Sequence, residues 1–294
     1  MPRARPLLAL VLGLAVGLLP EPARGGEPVT PPVRLRHDLK VDLPVTGALA
    51  VATVGFRLLR DDLEPSACRW CDGPAPGEVN AVDGWFRTAL RRQDPYPANV
   101  ASYVLAFGAA PVGAIAFTAL AAVSDHRGSE VLVDLLVVAE GGFSAMLTTE
   151  ILESVTLRTR PYVQAIASDQ ERAAVIAETG AFHSFPAGHV VEAFGVATAA
   201  GVVASMRGYR LAPLVWAAGM MVGVATAYTR IAADRHYFTD VLAGAAIGTV
   251  VGGGVPLLFH RPIEGEASAT WLARTRLVAT PVPGGQMVGV GGTF

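Results

Sequence analysis

The chain has 294 residues and a formal net charge of −2, which gives no electrostatic footprint for a nucleic-acid partner. Its hydrophobic fraction is 52% and its charged fraction 16%, whereas soluble domains carry about a quarter charged residues. With a mean hydropathy of +0.43, this composition disfavours a soluble enzyme and points to a multi-span membrane protein.

In chain order, residues 1–24 open with Arg3 and Arg5, continue with an apolar run over 7–19 and close on small residues around Ala23. That layout is a secretory signal, cleaved or kept as an anchor, because the run is short of the roughly 20 residues a span needs. Residues 25–42 read as a Pro-rich polar linker and 43–59 as a short span or an interfacial helix. The loop that follows holds both cysteines of the chain, Cys68 and Cys71. A disulfide, half a metal site and a redox pair compete there. With no second Cys pair to complete a zinc site, a disulfide in an exported loop is the expectation.

Residues 95–124 carry no charge and are long enough to cross a bilayer. The next run, 131–157, is interrupted by Asp134, Glu140, Glu150 and Glu153. Ionisable groups at membrane depth face a bundle interior or an aqueous cavity, so this is an inner helix delivering Arg158 and Arg160 to one end. Apolar segments follow at 190–206, 211–229 and 241–259. The last carries Gly244, Gly248 and Gly252 as a small-residue packing ridge. Beyond residue 261 the tail is polar to mixed, with a hairpin predicted around Pro283, Gly284 and Gly285. The basic short loops at 125–128 and 207–210 put the opposite ends of these helices outside the cytoplasm, provided that only one of the runs 7–19 and 43–59 crosses.

Those ends carry the chemistry. His236 and Asp240 stand four residues apart, so on a helix they share a face and the carboxylate can accept the imidazole's second N–H. That contact would fix the tautomer and free the other ring nitrogen for attack. His189 suits protonation of a leaving oxygen. Arg160 and Arg230 would clamp the oxygens of an anion, with Arg158 as a third cation. Gly188, where a helix begins, can point its N–H at an anion without a side chain in the way. Pairs of His189 with Glu192 and of His236 with Asp240 also have metal-ligand chemistry, which sensitivity to chelators would reveal. His37, His183 and His260 fit no motif and read as surface or interfacial, and Tyr162 and Tyr237 as headgroup-level anchors.

The order of three segments resembles the signatures of the type-2 phosphatidic acid phosphatase superfamily: K-x6-R-P, P-S-G-H and S-R-x5-H-x3-D. Arg160 and Pro161 keep the first, with Glu153 in place of Lys. Pro186, Gly188 and His189 keep the second, with Ala187 in place of Ser. Arg230, His236 and Asp240 keep the third, with Thr229 in place of Ser. The resemblance implies an all-α polytopic membrane bundle of about five to six helices with an acid phosphatase/haloperoxidase-like core over 98–260. It also implies a lipid phosphate or diphosphate phosphatase working through a phosphohistidine, without metal or cofactor. The bilayer and a membrane lipid phosphate are the expected partners, in a bacterial-type inner membrane with the site facing the periplasm or exterior. Glu153 and Ala187 support a competing reading, a weakened relative that binds anionic headgroups without turnover. A vanadate-dependent haloperoxidase on the same core is a third.

Overall fold

A computed structural model describes residues 33–63, 67–73, 75–178 and 180–263, together with strands at 275–282 and 285–292. The signal or anchor expected at 1–24 lies outside the described residues. Nine helices are labelled here: α1 (Leu39–Leu63), α2 (Ala81–Leu90), α3 (Tyr96–Ser124), α4 (Val131–Thr156), α5 (Pro161–Gln164), α6 (Asp169–Glu178), α7 (Gly188–Arg207), α8 (Ala212–Ala232) and α9 (Phe238–Phe259). Six of them, α1, α3, α4, α7, α8 and α9, are long and apolar enough to cross a membrane. The polytopic helical bundle expected from composition is therefore the fold.

α1 corrects the sequence reading at its start. The linker expected to run to residue 42 ends earlier, and the helix spans 25 residues from Leu39. Asp38 caps it by accepting the Lys40 N–H at 3.0 Å, while Asp42 accepts the Asp38 N–H at 2.8 Å. Just ahead, Leu35 is fully buried and bridges to Pro262, tying the chain before α1 to the end of α9.

α7 is the axis of the bundle, with 83% of its apolar span buried against 11% for α1. Small residues along it let neighbouring backbones approach closely. A Cβ on Gly244 of α9 would meet the Ala187 carbonyl at 2.9 Å, and one on Gly248 the Val191 carbonyl at 2.6 Å. Gly252, a turn further on, abuts Gly195. The ridge read from the sequence is thus a backbone-to-backbone seam between α9 and α7.

α3, α7 and α9 begin at one end of the bundle, and α1, α4 and α8 finish there, so this up-and-down arrangement brings all three motif segments together. At the opposite end Arg207 is fully buried against Asp134, with Nη2 at 2.6 Å, and against Glu130 at 3.0 Å. Tyr209 Oη donates to the second Asp134 oxygen at 2.7 Å. There too His260 is 2% exposed, with Nε2 3.3 Å from Glu140, so the interfacial reading of this histidine does not hold. In the tail, Thr275–Val282 and Gly285–Gly292 pair as the expected antiparallel hairpin, with Val282 opposite Gly285.

Candidate active site

The first motif segment leaves α4 through Leu157, whose left-handed backbone (φ 42°) ends the helix, and continues extended to Arg160. Two extended pieces flank it. Arg69 donates its N–H to Leu157 at 3.2 Å, and Thr159 donates to Trp70 at 3.1 Å. On the other side Ser184 donates to Arg158 at 3.1 Å, and Arg160 to Ala181 at 2.9 Å. Cys68 and Cys71 form the expected disulfide, closing the turn that presents Trp70 to this strip.

Beneath it lies a cavity of about 190 Å³. Its wall includes Arg160, Arg230, Arg235, His236, Gly188 and His189, which the second and third motif segments and the loop before α5 supply. α1 adds Arg57 and Arg60, and α4 adds Glu150 and Glu153. Five guanidinium groups therefore face two carboxylates, so the cavity is built to receive an anion.

His236 is 3% exposed. Its Nδ1 lies 2.7 Å from the Ser184 carbonyl, which can only accept, so Nδ1 carries the proton. Nε2 then carries the lone pair and accepts a hydrogen bond from Arg160 Nη1 at 3.3 Å. Burial, reinforced by the nearby Arg230 and Arg160 charges, holds this imidazole neutral well below its ordinary titration range. Arg160 is steadied by donating its Nε–H to the Gly180 carbonyl at 2.6 Å. Burial lowers the Arg160 pKa, and the Glu153 charge works against that shift. Arg230 is anchored from behind, donating to Ser102 Oγ at 2.8 Å and Asn99 Oδ1 at 3.2 Å.

His189 sits in the first turn of α7 and packs edge-on against Tyr103 at 4.5 Å and Phe107 at 4.9 Å. Its Nε2 is buried with no hydrogen-bond partner among the described residues. Gly188 is the first residue of α7, as read from the sequence, and a Cβ there would lie 3.3 Å from Glu153 Oε1. Ala187 gives α7 no side-chain cap.

Two expected contacts are absent. Asp240 does not touch His236, because the helix starts at Phe238 rather than running through both residues. Asp240 instead folds back as a capping box, accepting the Tyr237 N–H at 2.8 Å. The same carboxylate oxygen accepts from Ser184 Oγ at 2.6 Å, so Asp240 reaches His236 only through Ser184. The pairing of His236 with Asp240 as metal ligands is likewise not assembled.

Arg158 is not a cavity cation. It is fully buried, bonded to Asp240 at 2.6 Å, Asp83 at 2.9 Å and Asp72 at 3.0 Å. The rings of Trp70 and Tyr237 each lie 4.2 Å from its guanidinium carbon. Burial works against its charge, but these carboxylates outweigh burial and raise its pKa. Tyr237 is correspondingly 2% exposed rather than an interfacial anchor, and Tyr162 lines the cavity under Arg235. His183, also read as surface, is 6% exposed.

The order of the cationic strip, the glycine at the head of α7 and the histidine before α9 matches one family. Residues 134–264 fit the model of the PAP2 superfamily. That match covers 131 of the 294 residues and takes in all three motif segments. No curated protein and no solved structure matches the chain. The PAP2 region contains Arg160, Gly188, His189, Arg230, His236 and Asp240, but neither α1 nor the disulfide loop. The match supports a phosphatase at the coarse level, and the six apolar helices are those of a multi-pass membrane protein. Spacing within the motifs did not reveal Arg57, Arg60, Arg235 or Ser184. One sequence signal for the first two exists: Arg57 and Arg60 repeat the three-residue spacing of Glu150 and Glu153 with opposite charge.

Proposed function

We propose that the protein is a lipid phosphate or diphosphate phosphatase acting through a phosphohistidine. The observation carrying this reading is the tautomer of His236, whose unprotonated Nε2 lies beside Arg160 in a cavity lined by five arginines. In this scheme Nε2 attacks phosphorus in line with the leaving oxygen. Arg160 and Arg230 take the equatorial oxygens, and the Gly188 N–H at the head of α7 assists them. His189, whose Nε2 is buried without a partner among the described residues, supplies the proton to the departing lipid oxygen. Water then cleaves the phosphoenzyme, and no metal enters any step. Asp240 is a positioning residue, acting through Ser184 on the tautomer of His236.

A lipid substrate fits helices whose outer faces are apolar around a site at one end of the bundle. That end faces away from the cytoplasm, in keeping with the disulfide placed there. The domain reading takes 98–260 as the working core. With α1 as a span, the exported part of 25–97 narrows to the loop after α1, because the chain just before α1 is tied to Arg207 and Pro262 at the opposite end. A second reading, headgroup binding without turnover, draws on Glu153 and Ala187.

The test uses full-length wild type and His236→Ala in detergent. Phosphate release from a panel of lipid phosphates by wild type alone, unchanged by EDTA and with acid-labile label trapped on the protein, is the expected result. Release that survives the substitution overturns the phosphohistidine.

A further inference from the structure

Glu153 occupies the position, seven residues before Arg160, where the resembling motif has a lysine. It lines the cavity, yet it does not stand alone against the substrate. Its Oε2 accepts from Arg60 Nη1 at 3.0 Å, and Glu150, one turn earlier, accepts from Arg60 Nη2. Arg57 Nη1 lies 3.7 Å from Glu150. Two acids on α4 thus hold two arginines on α1, a helix outside the PAP2 region.

The Arg60 side chain is only 12% exposed, and its Nε–H is buried with no partner among the described residues. A guanidinium has five donors in a rigid fork, and the two carboxylates occupy only part of that set. Arg57 is half-exposed, with its guanidinium carbon 5.8 Å from the Phe107 ring, which in turn packs on His189.

We infer that α1 supplies the cation that α4 lacks: Arg60, oriented by Glu150 and Glu153, is a ligand of the substrate's phosphate oxygens, with Arg57 at the cavity edge. The inference rests on the phosphatase reading for its substrate. Glu153 is then a positioning residue, and the charge it introduces is offset by a cation from another helix. The competing account has Arg60 only neutralising two buried acids. The two accounts separate once the acids are removed together with the arginine, because nothing then remains to neutralise.

The experiment measures binding of inorganic phosphate and orthovanadate to the full-length protein in detergent by calorimetry, alongside phosphate release from a lipid phosphate. The variants are R60Q, the triple R60Q/E150Q/E153Q, and R60Q/E153K, which returns a cation to α4. The expected result is a triple variant that folds and binds phosphate on the order of tenfold or more weakly, with R60Q/E153K recovering most of that loss. A triple variant with wild-type affinity and turnover overturns the inference while leaving the phosphatase reading intact. Wild type that binds phosphate without turnover, with the triple weakened, upholds the inference and overturns the phosphatase reading. Wild type that binds neither anion overturns the inference, and with no phosphate release it overturns the phosphatase reading as well.

Discussion

The two ends of the bundle bury arginines for different purposes. At one end Arg207 meets Asp134, Glu130 and, through Asp134, Tyr209, so charge is matched and enclosed. At the other, Arg160 and Arg230 are held by carbonyl, amide and hydroxyl oxygens that position a guanidinium without cancelling it. The same contrast recurs within one strip, since Arg158 is buried among three carboxylates while Arg160, two residues on, faces the cavity. Arg60 aside, which lines the cavity with an unpartnered Nε–H although two carboxylates hold it, what these buried arginines do follows from whether their partners are charged. A matched pair holds the fold together, whereas an arginine fixed by neutral oxygens keeps its attraction for an incoming anion.

Substitutions should separate these roles. The largest expected effect is on His236→Ala, which should lower phosphate release by on the order of 10⁴-fold while leaving the melting temperature near wild type. Arg160→Gln should follow, with a loss of about 10²- to 10³-fold in kcat/KM and unchanged or slightly raised stability, because a buried cation without a charged partner is removed. Arg207→Gln should do the reverse. It strands Asp134, costing about 3–5 kcal/mol in a denaturation measurement, yet activity per folded molecule should be preserved. If Arg207→Gln instead lowers kcat at constant stability, the division between the two ends fails.

Smaller effects sharpen the picture. Ala187→Ser places a hydroxyl at the uncapped start of α7 and should raise stability by about 1 kcal/mol, with increased turnover as a second readout. The pH dependence of stability tests the buried imidazole. His236 has a folded pKa depressed below its unfolded value, so the unfolded chain binds the extra proton as pH falls below about 6.5. The stability this group contributes is fully present above that pH. It is lost at up to about 1.4 kcal/mol per pH unit on acidification, until the folded pKa is reached. His236→Gln, which cannot titrate, should flatten melting temperature against pH over that window, and an unchanged slope would contradict the buried neutral state.

Much of this was legible in the sequence, for identifiable reasons. Spans follow from hydropathy, and the acid-interrupted run at 131–157 is the inner helix α4 because ionisable groups need an interior. The cavity end is where the motif segments terminate, and Gly188 begins α7 as read. The partners of Arg158 were not legible, because Asp72 and Asp83 lie 86 and 75 residues away. The Asp240 contact failed on a local detail: a helix boundary two residues past His236 turns an expected shared face into a capping box. The part α1 plays at the site escaped notice, although the segment itself was read as a span or interfacial helix, because arginines ending an apolar run look like interfacial anchors until the acids opposite them are placed.

The seam of Gly244, Gly248 and Gly252 against α7 bears on how the site tolerates change. Where backbone meets backbone there is no rotamer to absorb a displacement, so α9 is keyed to α7 in one-turn steps like teeth in a rack. His189 rides on α7, and His236 lies just before α9. The gap between His189 and His236, the proposed general acid and nucleophile, is thus gauged by that rack.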